Sequence, residues 1–262
     1  MGHGEAAEFD RTHAGFAQVL NETVTDAGVS YARLKQNPAE LDAYLGQIAA
    51  IPPSDFAAWA RDDRLALLLN LYNAETLRLI REAYPVKSIR SLGTLPGAAW
   101  RRLVVRFGGQ ILSLSHLENE IIRKEYNEPR IHFALVCAAR GCPPLRTEPY
   151  VGGRLTNQLD DQARRFLATP AKNRFDPASG VLWLSPIFKW YEQDFTRPAG
   201  SLKEYVLPYL SPDIAHAMNP ATSVRIRYTD YDWRLNDQPT SAGLPAEESG
   251  RDSSSQPEAR QK

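Results

Sequence analysis

In the run RIHFALVCAARGCPPL, His132, Cys137 and Cys142 fall inside eleven residues. One imidazole beside two thiols supplies the ingredients of a thiol nucleophile and its base. Residues 131–137 are almost wholly apolar and read as a buried strand, in which side chains alternate, so His132 points to one face and Cys137 to the other. Cys137 then shares its face with Ile131, Phe133 and Leu135, the setting of a core thiol. Cys142 follows in Arg-Gly-Cys-Pro-Pro, where Gly141 permits unusual φ and the two prolines stiffen the exit. Such a loop could turn back to His132, and an imidazolium or Arg140 nearby would favour the thiolate. Two further readings of the pair stay open. A Cys137–Cys142 disulfide would close a small loop and needs an oxidising setting, of which the sequence gives no sign. A zinc site of His116, His132, Cys137 and Cys142 has suitable ligand types, but the four-residue gap between its cysteines lacks the Cys-x-x-Cys knuckle.

Carboxylate and amide partners come from other segments. Ser115-His116-Leu117-Glu118 fits a capping box, with Ser115 capping and Glu118 reaching back to the cap amide. Glu118 also shares a helix face with Leu117, Ile121 and Ile122, where a carboxylate could orient His132 as the third member of a Cys142, His132, Glu118 set. Asn70 and Asn73 lie three apart on one face of an apolar helix, and a buried amide needs a partner, so they fasten a loop or line a pocket. Trp190 and Asp194 are one helical turn apart, as in a pocket wall, within a run whose aromatics also suit a core. The segment Tyr231-Asp232-Trp233-Arg234-Leu235-Asn236 carries no readable role beyond packing and strand-end hydrogen bonding.

The elements that must position these groups are helical first. Helix-like spacing covers residues 9–27 and 38–51, Ser54 is a candidate N-cap for a helix bearing Phe56 and Trp59, and leucines surround the helix predicted at 62–84. Apolar residues on every side mark that helix as central, and Pro85 ends it. From Trp100 the pattern shortens into strands. Residues 103–107 and 110–114 flank Gly108-Gly109, a two-residue hairpin turn. Helices are predicted at 116–126, 155–167, 188–195 and 201–210, and strands at 130–137, 181–184 and 224–228. This order predicts an α+β single domain, with N-terminal helices packed on a mixed or mostly antiparallel sheet. Residues 1–8 read as a flexible N-terminus, 9–236 as the globular domain and 237–262 as a disordered tail, in which Leu244 is the one large aliphatic residue.

Composition excludes several classes. With 31 basic and 31 acidic residues and a pI near 7.0, a global nucleic-acid signature is absent. No run approaches the ~18 apolar residues of a membrane span, and no secretory signal stands at the start, which places the chain in the cytoplasm by default and leaves export open. Two cysteines make no disulfide scaffold. Neutrality is an average: residues 101–165 carry eleven basic against seven acidic side chains, enough to favour a thiolate or a small anionic substrate if they converge.

Five blocks in order, NLYNAETLRLI, SLSHLENEIIR, RIHFALVCAARGCPPLR, WYEQDF and YDWRLN, resemble the family known as domain of unknown function 547, over residues 59–236. The resemblance implies a family of bacteria and plants with no established activity, in plants often following a coiled coil, of which this chain shows no heptads. The family pattern usually has Ser at the position of Gly141 and His at that of Asn119, which leaves His132 as the better base. The resulting expectation is a cysteine-dependent hydrolase or acyl transferase, distantly papain-like, with Cys142 as nucleophile, His132 as base and Glu118 as orienter, acting on a small-molecule or peptide substrate without cofactor. Amides at Gly141 and Cys142 would form the oxyanion hole. The alternative is a non-catalytic binding or scaffold module, and a weaker one the structural zinc site. Oligomeric state is not readable.

Overall fold

A computed structural model of the chain describes residues 8–218 and 223–238. The lead-in comprises α1 (Ala14–Thr23), a hairpin of β1 (Val24–Thr25) and β2 (Gly28–Val29), α2 (Tyr31–Gln36), α3 (Ala39–Ala49) and α4 (Pro53–Ala58). α1 is shorter than the spacing predicts because Asp10 accepts the N–H groups of Thr12 and Ala14 at its start, and the β1–β2 turn follows Thr23 directly. Pro52, rather than Ser54, occupies the N-cap of α4. Then comes α5 (Arg61–Ala83), 23 residues long. Every side chain from Leu65 to Leu71 is at most 1% exposed, so this helix is buried on all sides and the others pack around it. It stops where Tyr84 turns extended ahead of Pro85.

Beyond α6 (Ala98–Arg101), β3 (Leu103–Phe107) and β4 (Gln110–Ser113) pair antiparallel, Phe107 opposite Gln110, with Gly108 at φ 59° and Gly109 at φ 74° in the turn. α7 (Leu114–His116), a π-helical stretch (Leu117–Ile122) and α8 (Arg123–Tyr126) run end to end. The remaining elements are α9 (Ile131–Ala134), α10 (Leu155–Leu167), β5 (Arg174–Asp176), β6 (Val181–Leu184), α11 (Ile187–Trp190), α12 (Glu192–Ala199), α13 (Leu202–Val206), α14 (Pro212–Ala217) and β7 (Arg225–Tyr228). β6 pairs antiparallel with β5 and parallel with β7.

The class is α+β, but the strands do not form the one sheet expected. Among the described residues they fall into three small sheets, of which β3 lies against α3 and α5, and the N-terminal helices pack largely on one another. The first two residues of the segment expected to be a tail are held on the fold: Tyr84 donates to Asp237 at 2.8 Å and the Gln238 N–H to the Val29 carbonyl at 3.0 Å. The rest of that segment, and residues 1–7 of the predicted flexible N-terminus, lie outside the described residues.

The chief correction falls on residues 131–137, which are not a strand. The N–H groups of Ile131, His132 and Phe133 bond to carbonyls three residues back, giving the short α9, and the chain extends only from Leu135. A short apolar run suits a buried helical turn as well as a strand. α9 sits at the seam of two cores. Ile131 and Ala134 join the cluster around α5, while Phe133 packs with Phe166, Phe188 and Phe195.

Two asparagines of α5 clamp later segments of the chain. Asn70 donates to the Tyr150 carbonyl at 2.7 Å and accepts the Tyr150 N–H at 2.9 Å. Asn73 does the same for the Ala134 carbonyl and the Val136 N–H, both at 3.0 Å. Asn73→Ala would strand both buried backbone groups, so we expect a loss of about 2 to 4 kcal/mol. Urea unfolding should show this as a lower midpoint at unchanged slope, and an unshifted midpoint would contradict the clamp.

Candidate functional site

A cleft of about 470 Å³ opens between the two cores, within the ~300–1,000 Å³ usual for small-ligand sites. Of the residues singled out in the sequence, Glu118, His132, Cys137, Cys142 and Trp190 line it. Asn70 and Asn73 are not in its wall. Arg140 borders a second cavity, which Cys142 also touches, so its charge is not aimed into the cleft.

His132 is 4% exposed, and its ring stacks on Tyr191 with centroids 3.8 Å apart. Its Nε2 lies 2.8 Å from Asp194 Oδ2 on α12, and the Arg123 Nε donates to the same oxygen at 2.8 Å. A carboxylate only accepts, so Nε2 carries the proton and Nδ1 is left as the basic nitrogen of a neutral ring. Burial pushes the imidazole below its usual range, with Asp194 partly opposing, and the His132 bond together with Arg123 holds the Asp194 carboxyl well below the usual carboxylate range.

The carboxylate bonded to His132 is therefore Asp194 and not Glu118. Glu118, 7% exposed, accepts from Tyr72 Oη at 3.1 Å and Tyr191 Oη at 2.6 Å, and reaches His132 only through the Tyr191 ring. Nor does it close a capping box. The helix begins two residues earlier than that box requires, and Ser113 Oγ accepts the His116 N–H at 3.1 Å. Burial, reinforced by Glu118, raises both tyrosines, which stay protonated donors.

The two cysteines are joined to each other in a disulfide. Cys137 is thus neither a free nor a fully buried core thiol: it is partly exposed, while Cys142 is 4% exposed. His132 and Cys137 do not lie on opposite faces either, since the helical turn of α9 brings both to the cleft. The closed loop is pinned by the C-terminal segment. Asn236 N–H donates to the Ala138 carbonyl, Arg140 N–H to Arg234 and Gly141 N–H to Asp232, at 2.9 to 3.0 Å. Gly141 is required for space rather than for its φ, because a Cβ there would come within 2.9 Å of Asp232 N and 3.0 Å of the Tyr231 ring. The amides expected to make an oxyanion hole are occupied, Gly141 N–H by Asp232 and Cys142 N–H by the Ala139 carbonyl. Lys172 Nζ donates to the Cys142 carbonyl at 2.5 Å, and burial pulls this ammonium down to about 8.

Tyr231, which no sequence motif marks, faces the bridged cysteines. Its hydroxyl lies 3.0 Å from Cys137 Sγ and donates to Cys142 Sγ at 3.1 Å, and the Cys137 N–H also points at Cys142 Sγ, at 3.0 Å. Burial raises the phenol, so it remains a donor. Trp233, two residues on, lines the cleft beside Trp100 and Trp190. The available signal was an aromatic-rich strand exit in a chain with one Cys/His block. The zinc alternative has no ligand set: among the described residues no three His, Cys, Asp or Glu side chains gather to hold a metal.

The molecule is therefore an α+β protein whose cleft brings an aspartate-anchored histidine, a bridged cysteine pair and an aromatic wall together. Residues 56–167 match the family described as protein of unknown function, DUF547, and this part of the chain is a domain of that family. The match takes in the first three resembling blocks, while WYEQDF and YDWRLN, which supply Asp194 and Tyr231, lie beyond it. No curated protein and no solved structure matches the chain. Among the described residues no helix is long and apolar enough to cross a membrane.

Proposed function

We propose that the reduced protein is a cysteine-dependent acyl transferase or hydrolase, with Cys142 as nucleophile, His132 as base and Asp194 as orienter. The observation that carries this reading is the 2.8 Å bond between His132 Nε2 and Asp194, which leaves Nδ1 as base in a cleft wall shared with Cys142. Two donors, Tyr231 Oη and the Cys137 N–H, would hold a Cys142 thiolate, and hydrogen bonds to the charged form lower a thiol's pKa. The thiolate adds to the acyl carbonyl, and His132 passes the thiol's proton to the departing amine, alcohol or thiol. His132 then takes a proton from the water or acceptor that releases the acyl group. The aromatic wall suits an apolar portion of a small-molecule or peptide acyl donor.

The test uses protein reduced with a phosphine and freed of reductant. Iodoacetamide modification of Cys142, followed against pH by peptide mass, should titrate below the ~8.5 of an ordinary thiol in wild type and rise toward it in His132→Ala. A burst of nitrophenol from p-nitrophenyl acetate should vanish in Cys142→Ser. Should Cys142 titrate near 8.5 and ignore His132, the catalytic reading falls and the non-catalytic binding or scaffold module takes its place.

A further inference from the structure

We propose that the Cys137–Cys142 pair is an exchanging dithiol/disulfide couple, opened by a small anionic thiol that enters the cleft and attacks Cys137, with Cys142 as the leaving sulfur held by Tyr231. The two sulfurs are not equivalent. Cys137 is partly exposed in the cleft and Cys142 is 4% exposed, so an incoming thiolate meets Cys137 first. Cys142 is the better leaving group, because Tyr231 Oη at 3.1 Å and the Cys137 N–H at 3.0 Å receive the charge it takes away. A leaving thiolate so stabilised departs faster. In the step, the external thiolate forms a bond to Cys137 Sγ, the Cys137–Cys142 bond breaks, and its electron pair stays on Cys142. A second thiolate then frees Cys137 as its own disulfide with the first, so two external thiols are oxidised to one disulfide and the protein pair is reduced.

Charge indicates the class of thiol. Arg90 and Arg101 line the cleft, and among the described residues neither forms an ion pair; Arg90 lies over the Trp233 ring at 5.2 Å and Arg101 donates to the Pro96 carbonyl. Glu118, the lining carboxylate, is already engaged by two tyrosines. Guanidiniums without a carboxylate partner, at the wall of a cleft of about 470 Å³, suit a carboxylate-bearing thiol of peptide size.

The experiment is quenched-flow opening of the oxidised full-length protein by reduced glutathione, with alkylation at each time point and tryptic mapping. Cleavage after Arg140 separates the cysteines into residues 131–140 and 141–146. Glutathione should appear on the 131–140 peptide and the alkyl group on Cys142. Tyr231→Phe should slow opening roughly threefold to tenfold, since the leaving thiol's pKa rises. Replacing both arginines by glutamine should slow glutathione at low salt by about tenfold while leaving cysteamine, a cationic thiol, no slower. Glutathione found on Cys142, an indifferent Tyr231→Phe, or failure to open in millimolar glutathione would overturn the proposal. Exchange and acyl transfer fail separately, because the acyl-transfer test uses thiols freed by phosphine.

Discussion

Asp194→Ala should cut the burst and turnover of the reduced protein with p-nitrophenyl acetate roughly 10²- to 10⁴-fold, the range seen when a general base or its anchor is lost. Asp194 Oδ2 is what fixes the His132 ring, since it accepts the Nε2–H hydrogen bond at 2.8 Å and is itself held by Arg123 at 2.8 Å. Without it, the tautomer with a basic Nδ1 loses its preference, and the guanidinium of Arg123 is left facing an imidazole it disfavours in the charged form. The sign of the pH effect is set by the same carboxylate. Burial already depresses His132, and Asp194 opposes that depression, so removing the carboxylate lowers the imidazole further and moves the acid limb of kcat/KM to lower pH. Asp194→Asn keeps an acceptor without charge, and its rate should lie between the other two. The Asp194 side chain is 22% exposed, so the fold should survive, as circular dichroism can verify. Wild-type turnover in Asp194→Ala would remove His132 from the mechanism.

These partners show where sequence reading stops. The central helix and the Gly108-Gly109 hairpin were legible because each rests on a local rule: apolar residues around a full helical circumference, and positive φ at two adjacent glycines. The identities of His132, Cys137, Cys142 and Glu118 were legible by residue type. Their pairing was not, because Asp194 lies 62 residues from His132 and Tyr231 lies 89 from Cys142, beyond any helical or strand period. A local error fed this. Reading α9 as a strand sent His132 and Cys137 to opposite faces, whereas one helical turn and the Asn73 clamp on Ala134 and Val136 deliver both to one cleft. Glu118 was misplaced for a similar reason, since a serine two residues earlier took the cap and released the carboxylate to the tyrosines.

Acid should weaken the fold well above the range in which carboxylates titrate, and His13 is one cause. This imidazole is 2% exposed at the start of α1, with Nδ1 2.8 Å from Tyr44 Oη and its ring edge-on to Phe9. Burial pushes it from 6.5 to about 4, with Asp10 opposing only in part. Above pH 6.5 the ring is neutral both folded and unfolded, and no stability depends on its proton. Between 6.5 and about 4 the unfolded chain binds a proton that the folded chain refuses, so stability falls with pH across that window, by roughly 3 kcal/mol in all. His132, depressed in the same direction, adds to the slope. Asp194 acts lower still, because its depressed carboxyl contributes stability above the ordinary carboxylate pKa and loses it only as pH falls beneath that value. His13→Asn separates the contributions, since asparagine tolerates the φ of 58° found there and does not titrate. It should be less stable than wild type at pH 7, having lost the ring packing, yet lose about 3 kcal/mol less between pH 7 and pH 4 in urea unfolding. Parallel pH profiles for the two proteins would show that His13 titrates normally in the folded state, and would place the acid sensitivity elsewhere.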